Sequence, residues 1–232
     1  MKKALSVYVI AYFVLLLFVL GLQCVYPKLE LHLMLNSCHT EAQDFFFKYY
    51  STFAEWLLYI LALLPLFWKR AEMTFLFAAS EIMGGCIVQI LKHSFRYDRP
   101  VTVFENFPDM VLPLVQGVEM RHSNSFPSGH TSTFFIFFTC CAIILAYEII
   151  QRNKELNRKT LCLIQLSTLG MLFLAALGAY SRVYLSQHFM WDITIGSIIG
   201  FVTPFLVFHF GKDKILKLKN KLYNIRNEEI SK

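Results

Sequence analysis

The sequence predicts an all-α fold, a bundle of six transmembrane helices resembling no ordinary soluble domain. Of its 232 residues, 56% are hydrophobic and only 16% are charged, a composition that points to the bilayer as solvent. The apolar residues gather into runs near the ~20 residues that a spanning helix needs. These runs lie at about 5–25, 50–68, 73–91, 130–150, 160–180 and 188–210. The basic residues then divide unequally between the two sides that such an alternation creates.

The first run opens with Met1-Lys2-Lys3 and carries no charge from Ala4 to Pro27. It exceeds the ~7–15-residue core of a signal peptide, and no A-x-A-like site closes it, so it reads as a retained helix. Leu29–Phe47 is partly amphipathic and is expected along the outer interface. The second run is free of charge only over Trp56–Trp68. To span, it must begin near Tyr50 and carry Glu55 close to the outer boundary. The third run holds Glu81 midway. An intramembrane carboxylate is a functional suspect by default, but a hydrogen bond inside the bundle is the expectation here. Six helices leave little room for anything else, so residues 1–232 read as one integral membrane domain with a basic tail at about 211–232.

With both termini cytoplasmic, 15 of the 22 basic residues fall inside, Lys69, Arg70, Arg152, Lys154, Arg158 and Lys159 among them. The positive-inside rule sets this orientation. Five of the seven outer cations, Lys92, Arg96, Arg99, Arg121 and Arg182, lie in or beside three motifs and need a separate reason to be there. The net charge of +6 is not read as nucleic-acid binding. The tail KDKILKLKNKL, beginning at Lys212, suits a surface helix on anionic lipid heads. The six cysteines show no metal-ligand spacing, and Cys24 and Cys38, both near the outer surface, are expected unpaired.

The three motifs carry the chemistry. Lys92 and Arg99 are seven residues apart, two helical turns if the segment is helical, with Arg96 between them. Pro100 disfavours helix at Arg99, so the helix is expected to end there. Converging Lys and Arg make a phosphate seat, whereas cations at a helix end can also simply snorkel. Pro127-Ser128-Gly129-His130 precedes the fourth run, with Pro127 suited to a first helical position. A helix N-terminus attracts anions, Gly129 lets backbone approach, the Ser128 hydroxyl adds a donor, and His130 can protonate a leaving oxygen. A capped helix start with an incidental histidine is the plainer alternative. His188 and Asp192 are four residues apart and share a helix face. The carboxylate can fix the ring's tautomer and leave the other nitrogen as nucleophile. Ser181-Arg182 precedes them and adds a phosphate ligand. The inferred topology puts all three motifs on the outer side. No His, Cys and carboxylate set has zinc-ligand spacing, and neither metal nor other cofactor is expected.

This pattern resembles the type 2 phosphatidic acid phosphatase (PAP2) superfamily, relatives of the vanadium haloperoxidases. The signature K-x6-RP, PSGH, SR-x5-H-x3-D matches at all eleven specified positions. The resemblance implies roles: His188 as nucleophile through a phosphohistidine, Asp192 as its orienting partner, and His130 as general acid. It implies Lys92, Arg99, Ser128, Gly129 and Arg182 as phosphate ligands, with no metal. Arg96 and Arg121 fall outside the signature and are expected to be solvated. The apolar loop 101–125 is expected to rest on lipid or cover the site.

The expected function is hydrolysis of a lipid phosphomonoester or pyrophosphate at the outer face, in a bacterial inner membrane. Phosphatidic acid, phosphatidylglycerophosphate, polyprenyl diphosphate and lipid A phosphate are candidate substrates, and membrane lipids are the only other partners expected. Two alternatives stand beside it: a lipid phosphotransferase, and a non-catalytic lipid-phosphate binding or transport protein. Nothing in the sequence sets an oligomeric state.

Overall fold

A computed structural model describes residues 1–68, 71–152 and 157–230, and among them every regular element is helical. In chain order these are α1 (Lys2–Val25), α2 (Lys28–Leu35), α3 (Glu41–Thr52), α4 (Leu57–Leu63), a 3₁₀ turn (Leu64–Trp68), α5 (Ala71–Phe95), α6 (Pro100–Phe104), α7 (Gly129–Arg152), α8 (Arg158–Tyr184) and α9 (Met190–Ile230). Five spans are long and apolar enough to cross a membrane, and α3 with α4 makes a sixth if that bent pair counts as one. Lys69, Arg70 and Lys154, used above to set the orientation, lie outside the described residues.

The second span differs from the expected continuous helix. Tyr50–Thr52 close α3, the chain turns through residues 53–56, and α4 leaves at 50° to α3. No side chain caps α4, and Pro65, which has no N–H to donate, sits in the tighter 3₁₀ turn that ends it. The amphipathic Leu29–Phe47 segment likewise splits into α2 and α3, with the Thr40 hydroxyl accepting from Gln43 N to start α3. The basic tail is not a separate surface helix, because the α9 backbone runs on to Ile230.

Helix α7 is the axis of the bundle and packs against α5, α8 and α9. Phe134, Phe135, Ile136, Cys140, Ala142, Ile143 and Ala146 are all buried. A helix that is apolar all round belongs in an interior. The outer helices show the complementary pattern. Ile10, Leu17 and Phe18 of α1 and Leu166 and Phe173 of α8 are exposed, as expected of side chains that meet hydrocarbon. On its inner face α1 is fixed by Tyr8, whose hydroxyl pairs with Thr139 Oγ1 at 2.8 Å, and by Tyr12, which stacks on Phe201.

Close approach of backbones sets the register that matters for function. A Cβ on Gly196 of α9 would lie 2.6 Å from the Ser128 carbonyl oxygen, and one on Gly200 would strike Ser132 O and lie 2.6 Å from Phe135 Cβ. Gly196 and Gly200 are therefore a small-xxx-small seam that lets α9 lie directly against α7. Asp192 sits one turn above Gly196 on the same face, which delivers it to the start of α7.

Candidate active site

The three motifs meet at one end of this seam. Backbone Ser128 N–H donates to Asp192 O at 2.9 Å, joining the second motif to the third. Arg99 Nη1 donates to both the carbonyl (3.1 Å) and the side-chain oxygen (3.2 Å) of Gln187, joining the first to the third. Lys92 Nζ reaches Asn124 O at 2.5 Å, four residues before Ser128. Arg99, Ser128, Arg182, His188 and Asp192 are all buried, His188 to 1% exposure.

His188 lies between α8 and α9, held by backbone bonds from Gln187 and His188 to Arg182 O. Its Nδ1 is 3.5 Å from Asp192 Oδ2 and 3.5 Å from Ser125 Oγ. That is too long for a good direct hydrogen bond. Asp192 Oδ2 is engaged instead by the Ser125 hydroxyl at 2.5 Å and by Phe189 N–H at 2.9 Å. The expected His–Asp pair is thus a triad with Ser125 in its middle. The carboxylate still faces Nδ1 at 3.5 Å, a placement that favours a ring proton on that nitrogen. Among the described residues no side chain bonds Nε2, and the Ser125 backbone also bonds the ring. Burial first, then the cations Arg99, Arg182 and Lys92, holds His188 well below the ordinary histidine range. It is a neutral, buried imidazole facing fixed positive charge.

The cations are arranged differently from the simple helical register. Helix α5 ends at Phe95, Arg96 has φ of 48°, and Arg99 precedes the short helix α6 with Pro100 at its first position. Lys92 and Arg99 therefore converge through a turn rather than along one face. Arg99 is also clamped by its backbone N–H to His122 O and its Nε to Ser123 O. Arg182 donates through Nη1 to Ser51 Oγ of α3, and its buried Nε has no partner among the described residues. A buried guanidinium with an open N–H is equipped to receive an oxyanion.

Pro127 is not a first helical residue: it follows a cis Phe126–Pro127 bond, and α7 begins at Gly129. Ser128 Oγ accepts from Thr131 Oγ1 at 3.1 Å and lies 3.4 Å from Thr131 N, so it helps to cap α7. A Cβ on Gly129 would meet only Val88 at 3.8 Å, so protein packing does not demand glycine there. His130 Nε2 contacts Glu55 Oε1 at 2.9 Å.

Residues outside the signature complete the site. Ser51, Glu55, Ser125 and Gln187 escape motif reading, although Ser125 and Gln187 flank motif residues and could have been suspected on that ground. Arg121 is exposed, as expected, and its charge also acts on Lys92, Arg99, His130 and Arg182. Arg96 is exposed and turns back to His93 O. The loop after α6 lies over the site, with Gln187 Nε2 bonded to Glu119 O. Glu81 accepts from Tyr59 (2.9 Å) and Thr133 (2.7 Å) inside the bundle. Cys24 and Cys38 are free. Among the described residues, no three His, Cys, Asp or Glu side chains group as a metal site would require.

The fold and site thus define a class: a helical membrane bundle with a buried cationic cradle, two imidazoles and two carboxylates at one end. Comparison with known proteins agrees. The PAP2 superfamily profile matches residues 73–216, which hold all three motifs, and the chain belongs to that superfamily. The crystal structure of Aquifex aeolicus LpxE has the same fold, with a TM-score of 0.55 at 21% identity over 78% of this chain and 95% of the other. A search of curated proteins found none that matches.

Proposed function

We propose that this chain is a membrane lipid phosphatase that hydrolyses a phosphomonoester or pyrophosphate through a phosphohistidine on His188. The observation that carries the reading is the neutral, buried His188 ring facing Arg99, Arg182 and Lys92. A phosphate seated among those cations presents its phosphorus to Nε2. The Arg182 Nε that lacks a partner among the described residues and the backbone at Gly129 are further seats for its oxygens. Charge spreads over those oxygens in the transition state, and fixed cations in a buried site stabilise it. Asp192 balances the charge that grows on His188. His130 protonates the leaving oxygen and then deprotonates the water that releases phosphate. None of these steps requires a metal.

The reading extends to place and substrate. Residues 1–232 act as one domain with both termini cytoplasmic, the site facing the periplasm of a bacterial inner membrane. The apolar spans at whose end the site lies support a lipid as the carrier of the phosphate. Phosphatidic acid, phosphatidylglycerophosphate, polyprenyl diphosphate and lipid A phosphate all present the group the site would hold. The test is product analysis of purified protein on a panel of these lipids with a chelator present. Free phosphate as the dominant product supports the reading. Transfer to another lipid or sugar favours a phosphotransferase, and binding without turnover favours a binding or transport protein.

A further inference from the structure

The break between α3 and α4 faces the site with two side chains. Ser51 accepts from Arg182 Nη1, and Glu55, one turn later at the bend, contacts His130 Nε2 at 2.9 Å. Helix α3, which leads into the bend, is held in place. Tyr184 donates to Asp44 Oδ1 at 2.5 Å and Tyr50 donates to Leu174 O at 2.9 Å, so α3 is strapped along α8. The largest charges acting on His130 come from cations and an imidazole: Arg182, His188, Arg121 and Arg99. Glu55 is the carboxylate in contact with it, and its charge also reaches Arg182.

We propose that Glu55 is a positioning residue for the leaving-group step, holding His130 by Nε2 so that a protonated Nδ1 faces the departing oxygen. This rests on the phosphatase reading above. A cationic site is a poor place to keep an imidazolium, and a general acid must carry its proton when the substrate arrives. The Glu55 carboxylate compensates that charge from the side away from the substrate. In the step itself, His188 Nε2 bonds to phosphorus and the bond from phosphorus to the alkoxide oxygen breaks. That oxygen keeps the electron pair and takes the proton from His130 Nδ1. His130 is left neutral, with its Nε2–H still on Glu55. The Nδ1 atom carries no hydrogen bond among the described residues, so it is free for this role.

The inference separates substrates by their leaving group. An alkyl phosphate such as phosphatidic acid needs the proton, whereas p-nitrophenyl phosphate leaves as a stable phenolate and does not. Glu55→Gln keeps the size and a hydrogen-bonding end but removes the charge. Its kcat/KM for phosphatidic acid should fall about 10- to 100-fold, less than the roughly 100- to 10,000-fold that general acid catalysis supplies, because His130 itself remains. The fall for p-nitrophenyl phosphate should be at least about tenfold smaller. Glu55→Asp should recover part of the loss on the lipid. Equal losses on the two substrates, with no recovery in Glu55→Asp, would overturn the role. Wild-type protein that releases phosphate from neither would instead sink the phosphatase reading itself.

Discussion

At the scale of single residues, the proposed mechanism depends on denying charge to one imidazole. His188 is neutral because it is buried among Arg99, Arg182 and Lys92, and a neutral ring is the nucleophilic form. The sign follows directly. A depressed histidine must be protonated at lower pH to lose activity, so the acid limb of kcat/KM should lie well below the ordinary histidine value of ~6.5, once the substrate's own ionisation is removed. Lys92→Met takes away one of the depressing cations and should move that limb to higher pH, which a pH–rate series on the two proteins measures. Arg182→Lys keeps charge but loses the planar fork, including the open Nε–H. Its kcat/KM should fall about 10- to 100-fold, since lysine offers a point charge where two directed donors are used. The signature residues were all legible in the sequence because their spacing is local. Ser125 and Glu55 were not, since their roles depend on contacts 67 and 75 residues away in the chain.

At the scale of elements, one helix pair decides whether the motifs meet. The α7–α9 seam at Gly196 and Gly200 places Asp192 O on Ser128 N–H. Gly196→Ala would push a methyl against the Ser128 carbonyl, a backbone atom that cannot swing aside, and should cost about 1–3 kcal/mol of stability. Activity should fall with it, because the shift moves the start of α7. Gly170→Ala in α8 is the contrasting substitution, since nothing lies within 4 Å of its new methyl, and should leave both melting temperature and kcat/KM near wild type. Apolar run length located α1, α5, α7, α8 and α9. It did not reveal the break at 53–56, because hydropathy reports burial in lipid and not whether the backbone bends. Nor did the spacing of Lys92 and Arg99 survive as a helical register, because the chain leaves α5 at Phe95 and turns.

At the scale of the whole molecule, the site is made by convergence. Positions 92–99, 125–130 and 182–192 come from four different helices and the loops between them, and the bundle gathers them at one end. The alternation of helices through the bilayer made that gathering predictable, since each motif sits at the same end of its span. The bent α3–α4 pair closes the site from a side that alternation does not address. The most direct test of the whole is chemical trapping. Wild-type protein quenched in alkali during turnover of a 32P-labelled lipid phosphate should carry label that is stable to base, lost in acid and mapped to His188, while His188→Ala should carry none and release no phosphate. Phosphate release that persists in His188→Ala, or label recovered on another residue, would contradict the account.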